Sequence, residues 1–564
     1  MKKLLLVTSI TAMLIVALVF NACAAMPSST TQTYHPTTTY TTHQTWTTAV
    51  TQPSQTTSGQ GNIGLATGGA KDINNFRENI KNDYLPLPTD ITCEGLFYDY
   101  YFDTGQTEPS RKLYSPSYSY AVTRDPLSNE TDYYLSVGLN SGLKESDFAR
   151  KKLNLTIVLD NSGSMGEYFN QYYYDNYGNM VDAWDEDGIY RKTKMQSAAE
   201  SVVAILDQLN SDDNYSIVTF NSNATLNKPM GSFNWSDISS IKYHVMDIRA
   251  GGSTNIEAGI KMATEQYKGL YEINNYDYEN RIIIITDAQP NTGDYSSSGL
   301  MGMIQRNAEN RIYTTFIGVG VDFNSQLIEN ISKTKGANYY TVHSPGQFRE
   351  RVEEEFEYMV TPLIFDLRLD FESGAWRIEK VFGSPEADAA TGKLMRINTL
   401  FASKSEGGET KGGLVLLKLQ KTSSTAGEEV YLKVTYEDRN GRRDSSESII
   451  VLESQSPEYF DNSGIRKGVL LSRYASLMQY WLIDEHNHLN YSRTWNPCIS
   501  EDTGILIPKP SMLSQWERQS IPLEVSEPYR YLFRNFSRYF ENEMHAIGDY
   551  SLSQELDILR ILSK

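Results

Sequence analysis

At 564 residues the chain exceeds what one core holds, and about 100–200 residues per domain implies three or four units. With 40% apolar and 21% charged residues it has the composition of a soluble folded protein, and its 38 tyrosines suit contact with proteins or sugars. The formal net charge of −19 argues against nucleic-acid binding, because a phosphate backbone needs Lys and Arg to displace its counterions. It suits an acidic protein that attracts cations.

Residues 1–23 read as a secretory signal: Lys2 and Lys3, an apolar run from Leu4 to Phe20, then Asn21-Ala22-Cys23. Phe20-Asn21-Ala22-Cys23 resembles a bacterial lipobox, which implies lipidation of Cys23 and a secreted lipoprotein held on the extracellular face of the cell membrane. Simple cleavage is the alternative, and a retained helix would be at the short limit for spanning a bilayer. Residues 24–70 are rich in Thr, Ser, Gln and Pro and are expected to form a disordered stalk, having too few apolar groups to offset the entropy of ordering.

Residues 71–152 form a flank with extended stretches such as Tyr118–Val122 and Asp132–Val137. Over 153–360 the rhythm changes. Leu153–Leu159, Tyr215–Phe220, Arg281–Thr286 and Arg311–Gly318 are short apolar runs, the last two nearly continuous, as strands buried on both faces require. Lys194–Leu209 has apolar residues at spacings of three and four, the signature of a helix with one buried face. The alternation predicts an α/β fold, a doubly wound, mostly parallel sheet of Rossmann-like form. Residues 361–456 return to β patterning and predict a sandwich unit, and 457–564 are expected to be helical. Cys93 and Cys498, the cysteines beyond the signal, can form one disulfide in an oxidising compartment or remain buried thiols.

Ligands of such sheets bind at the carboxyl ends of the strands. Asp160-Asn-Ser162-Gly-Ser164 follows the first strand directly, Gly251-Gly-Ser-Thr254-Asn leads into a helical stretch, and Asp287 ends the most apolar strand. A carboxylate with two hydroxyls is an all-oxygen donor set, suited to a hard cation such as Mg²⁺.

Taken together, Asp160-x-Ser162-x-Ser164, Thr254 and Asp287 resemble the metal-ion-dependent adhesion site of von Willebrand factor type A domains. The resemblance implies that Ser162, Ser164 and Thr254 contact Mg²⁺ (or Mn²⁺ or Ca²⁺) directly, while Asp160 and Asp287 act through water or hydrogen bonds. An exchangeable position is then left for an Asp or Glu of a partner. Ala288 departs from the glycine that such domains commonly carry after the aspartate. By element order alone, the β segments on both flanks also resemble bacterial surface proteins and inter-alpha-trypsin-inhibitor heavy chains, where the type A domain is held by a β-rich unit.

From Glu167 to Thr193 a Tyr- and Asp-rich run separates the serine turn from the first helix, where such domains need only a few residues. Insertions of this length inside a compact domain are functional or disordered. Tyr172, Tyr173, Tyr174, Asp182, Trp184, Asp185 and Asp187 are candidates for a rim that contacts the ligand; a second calcium site or a solvated loop are the other readings.

Other signals are weaker. Asp103-Thr-Gly105 and Asp502-Thr-Gly504 suggest an aspartic protease, but an entire α/β unit lies between them and D-T-G is ordinary turn chemistry. Asp461-Asn-Ser-Gly464 lacks the following oxygen ligand and reads as a helix cap, and His486 and His488 read as a polar helix end. No nucleophile elbow, P-loop or dinucleotide fingerprint is visible, and the resemblance to the adhesion site, with the strand-end carboxylates committed to the cation, implies a binding module and not an enzyme. Its expected ligand is an extracellular or envelope protein or glycan with an exposed carboxylate, captured in adhesion. The alternative is a structural or assembly role in an envelope complex; a hydrolase ranks last.

Overall fold

The computed structural model describes residues 61–107, 110–168, 192–234, 237–270, 275–288, 292–296, 298–320, 324–386, 392–423, 427–453, 455–492 and 521–564, with backbone alone at 171–172 and 181–182. The signal with Cys23, most of the stalk, Cys498, Tyr173, Tyr174, Trp184, Asp185 and Asp187 lie outside the described residues. Among those described, no helix is long and apolar enough to cross a membrane.

Seven strands form the central sheet in the order Ala224–Ser232, Asn214–Phe220, Lys152–Asp160, Tyr278–Thr286, Ile312–Val319, Asn338–Val342 and Gly69–Ala70. All neighbours run parallel except the first pair. Side chains alternate across a strand, so an apolar run feeds two cores at once. Leu155, Ile157, Leu159, Ile283, Ile285 and Ile317 pack on one face with helix Lys194–Asp207. Val158, Ile282, Ile284 and Phe316 pack on the other with helices Ile256–Glu265, Leu300–Glu309 and Ser325–Ser332. Burying each such side chain contributes roughly 1.5–3 kcal/mol. Helix Lys194–Asp207 starts at a capping box: Thr193 Oγ1 accepts the Gln196 N–H at 3.1 Å, and Gln196 Oε1 accepts the Thr193 N–H at 2.9 Å.

The β patterning on the two flanks resolves into one ten-stranded antiparallel sheet. Its strands Ser115–Arg124 and Thr131–Lys144 come from the N-terminal flank, and Pro362–Ser373, Trp376–Phe382, Leu394–Ser403, Leu414–Lys421, Glu429–Asp438 and Arg443–Val451 follow the α/β unit. Leu135, Val137, Leu369, Ile397, Leu417 and Val434 share its core. Residues 361–456 therefore do not close on themselves, and 71–152 is not a separate unit. That N-terminal flank also contributes helices Asn74–Lys81 and Cys93–Tyr98, which pack on the C-terminal helices Ser463–Ser492, Glu527–Ile547 and Ser553–Leu562 around Phe76, Leu96, Trp481, Phe536 and Leu559.

The stalk expected through residue 70 ends earlier. Asn62–Thr67 is a strand between Thr131–Lys144 and Leu394–Ser403, and Gly69–Ala70 adds the last strand to the central sheet. Long-range pairing overrides the glycine-rich local composition, and Gly64 is required there, because a Cβ would lie 2.0 Å from Thr410 Cγ2.

Beyond residue 70 the joint is polar. Asp72 accepts the Thr341 N–H at 3.0 Å, and Glu355 pairs with Arg351 at 2.8 Å and Lys411 at 2.5 Å. Beside it Glu94 is buried; burial, reinforced by the Glu329 and Glu386 carboxylates, pushes its carboxyl up to about 8. A folded-state value above the unfolded one means that stability is fully present below about pH 4.5 and is lost as pH rises through about 8. Glu94→Gln is expected to raise the melting temperature at alkaline pH while leaving it nearly unchanged at acidic pH. Parallel melting-versus-pH curves for the two proteins would refute this assignment.

Candidate functional site

The central strand Lys152–Asp160 delivers Asp160 to the carboxyl edge of the sheet, and its parallel neighbour Tyr278–Thr286 brings Thr286 and Asp287 alongside. Asp160 holds the turn that follows it: Oδ1 accepts the Ser162 N–H at 2.8 Å and Oδ2 accepts the Thr286 hydroxyl at 2.6 Å. Asp160, Ser162, Thr254 and Asp287 are buried, and Ser164 is 8% exposed. Burial and then the Asp287 carboxylate push the Asp160 carboxyl up to about 7, against the hydrogen bonds from Thr286 and Ser162. A positive charge added here relieves that repulsion.

Ser162 Oγ and Ser164 Oγ stand 3.2 Å apart. Two ligands at right angles on an octahedral Mg²⁺, with bonds of about 2.0–2.1 Å, lie about 3 Å apart, so the two hydroxyls fit adjacent positions of a hard cation. The loop bearing Thr254 is bonded to this turn: the Gly163 N–H donates to Gly252 O and the Gly251 N–H to Asn161 O, both at 2.9 Å. Thr254 O in turn accepts the Thr292 N–H at 3.2 Å. Asn255 caps the following helix through the Ala258 N–H at 3.1 Å. The five residues singled out in the sequence thus come to one edge, on three connected segments.

Ala288 has φ +51° and is buried, with its N–H bonded to Thr286 Oγ1 at 2.9 Å. This is the left-handed region that favours glycine, and holding alanine there costs on the order of 1–3 kcal/mol. The departure noted in the sequence is a backbone strain directly beside Asp287.

Lys194 was not foreseen. Its side chain is fully buried and its ammonium lies 3.4 Å from Asp287 Oδ2. One signal was present, since position 194 is in phase with the buried stripe of Ala198, Ser201 and Val202, and a lysine in such a stripe needs a counter-ion.

The insertion leaves and returns at one point. Tyr168 and Thr193 form a β-bridge, and the Lys194 N–H donates to Glu167 O at 2.8 Å. Within it Gln171–Tyr172 pairs with Val181–Asp182, and the side chains of Tyr172 and Asp182 lie outside the described residues.

The remaining candidates stand apart. Asp103 Oδ1 accepts the Gly105 N–H at 2.9 Å in a turn, and Asp502 lies outside the described residues. Asn462 caps helix Ser463–Ser492 through the Ile465 N–H at 2.9 Å. His486 Nε2 contacts Pro86 O at 2.8 Å and His488 is exposed. Cys93 opens the helix Cys93–Tyr98. Among the described residues no group of three or more His, Cys, Asp and Glu is placed to hold a metal ion.

Residues 154–354 match the family model described as von Willebrand factor type A domain. The inter-alpha-trypsin inhibitor heavy chain H2 of Mesocricetus auratus is 21% identical over 196 residues, 34% of this chain and 21% of that protein. The uncharacterized protein YfbK of Escherichia coli (strain K12) is 24% identical over 312 residues, 54% of this chain and 49% of that one. The chain spans about a fifth of the length of the heavy chains it matches. Among solved structures, a von Willebrand factor type A protein from Catenulispora acidiphila aligns with 72% of this chain and 95% of its own, at 12% identity and a TM-score of 0.43.

Proposed function

Residues 154–354 being a von Willebrand factor type A domain, we propose that this protein is an envelope-anchored binding module that captures an acidic group of a protein or glycan at the Asp160-Ser162-Ser164 turn. The observation that carries the reading is the pair of serine hydroxyls, 3.2 Å apart on a turn held by Asp160, with the Asp287 carboxylate close enough to perturb that aspartate. Ser162, Ser164 and Thr254 would hold a divalent cation, with Asp160 and Asp287 orienting them and balancing its charge. A bound Mg²⁺ supplies an electrophilic centre for a partner's carboxylate oxygen. Asp160 fixes the turn through the Ser162 N–H, and Thr286 in turn fixes Asp160. The Tyr- and Asp-rich insertion begins and ends at the bridge of Tyr168 with Thr193, a few residues beyond the serine turn, and its composition supports a role in choosing the partner.

Envelope placement rests on the N-terminal sequence: the basic start, the apolar run to Phe20 and Cys23 as lipid acceptor, with Thr- and Ser-rich chain beyond.

The test is titration of the full chain with Mn²⁺. Wild type is expected to bind one ion, and Asp160→Ala to bind at least about 100-fold more weakly, since even outer-shell partners are worth 10–100-fold. Capture of surface protein or glycan by immobilised wild type should disappear on adding a chelator. Capture that survives both the chelator and Asp160→Ala would remove the cation from the reading.

A further inference from the structure

A fully buried lysine is costly unless its charge is matched, and Lys194 has been placed where the match is a residue of the cation site itself. It is the first residue of helix Lys194–Asp207, locked by the Thr193 capping box on one side and by its own N–H to Glu167 O on the other. Its ammonium, 3.4 Å from Asp287 Oδ2, thereby has a fixed position at the end of the serine turn. Both side chains have no exposed surface, so water does not screen the pair.

We propose that Lys194 is a built-in counter-charge that sets the electrical balance of the cation site, and so selects an anionic partner. This rests on the reading that the site takes a divalent cation. Asp160 and Asp287 alone would bring two negative charges, cancelling a divalent ion and leaving little attraction for an external carboxylate. With Lys194 ionised these three side chains carry a net of one negative charge, so their sum with a divalent ion is one positive charge in a buried setting, where an unscreened charge acts strongly. Without a cation, the same lysine shares the buried charge of the two acids and holds the site together. The arrangement trades cation affinity for attraction toward a carboxylate-bearing ligand, and it is written into the chain by one residue at the start of a helix.

Titration of the full chain with Mn²⁺ tests this, using wild type, Lys194→Met and Lys194→Gln, with melting curves of each in Mn²⁺ and in chelator. Both variants are expected to bind Mn²⁺ about 10-fold more tightly, since a unit charge a few ångströms away is removed. They should also melt below wild type in chelator and gain more than wild type on adding Mn²⁺. A lysine that only supports the fold would lower both melting temperatures equally and leave Mn²⁺ affinity unchanged or weaker; that result overturns the inference while leaving the cation site standing. Absence of Mn²⁺ binding in all three proteins overturns the cation reading and this inference with it. Binding by the variants alone supports the inference in its strongest form. Lys194→Gln retains a polar head, so its titration decides the matter should Lys194→Met not fold.

Discussion

Arg77→Ala is expected to destabilise the protein by about 3–5 kcal/mol, the cost of leaving buried carboxylates without their counter-charge. Arg77 reaches Asp99 at 2.7 Å and, through Nε, Glu555 at 3.0 Å, and the Glu555 side chain is fully buried with the Tyr100 hydroxyl also donating to it at 2.9 Å. The partners come from opposite ends of the chain: Arg77 lies on helix Asn74–Lys81 and Glu555 on helix Ser553–Leu562. Adding Glu555→Gln to Arg77→Ala should restore some of the loss, because it removes the stranded charge. The measurement is chemical denaturation followed by helix signal. A shift of less than about 1 kcal/mol, the ceiling for exposed pairs, would mean that water reaches this joint.

The second large effect concerns the boundary of the α/β unit. A fragment of residues 153–360 is expected to melt about 10 °C or more below the full chain and to aggregate, as loss of several kcal/mol implies for a domain of this size. Cutting there removes Gly69–Ala70 from the edge of Asn338–Val342, and it removes Asp72 from Thr341 and Lys411 from Glu355. The bared strand carries Tyr339, Tyr340 and Val342, which invite pairing with another chain. Calorimetry of the two proteins checks this, and a fragment melting within about 2 °C of its parent would show that the added strand contributes nothing.

What could be read from the sequence follows from how local each signal is. The strands ending at Asp160 and Thr286 announce themselves as short apolar runs, and the serine turn and Asp287 sit directly on their ends, so the fold and the gathering of these residues at one edge are both legible in the sequence. The strand Ala224–Ser232 gives no local signal, because as the exposed outer member of the sheet it needs no apolar run, and Pro229 and Gly231 interrupt its β pattern. Residues 62–70 look like linker by composition, and only partners far along the chain, such as Asn140 and Ser403 on either side of Gly64, make them strands. Lys194 is only half legible: its place in the buried stripe calls for a counter-ion, but that partner, Asp287, is 93 residues on and no local pattern records the pairing.

The placement of Asn62–Thr67 also decides how the molecule meets tension. A pull applied through residue 61 runs along the axis of that strand, which is bonded on one side to Thr131–Lys144 and on the other to Leu394–Ser403. Ladder hydrogen bonds lie across such a pull, so those of both sides bear the load together, in shear, instead of breaking singly in succession. The load reaches Gly69–Ala70, and through it the sheet that carries Asp160, only after that double ladder has yielded. The antiparallel sheet thus stands between a load entering at residue 61 and the sheet edge that carries Asp160.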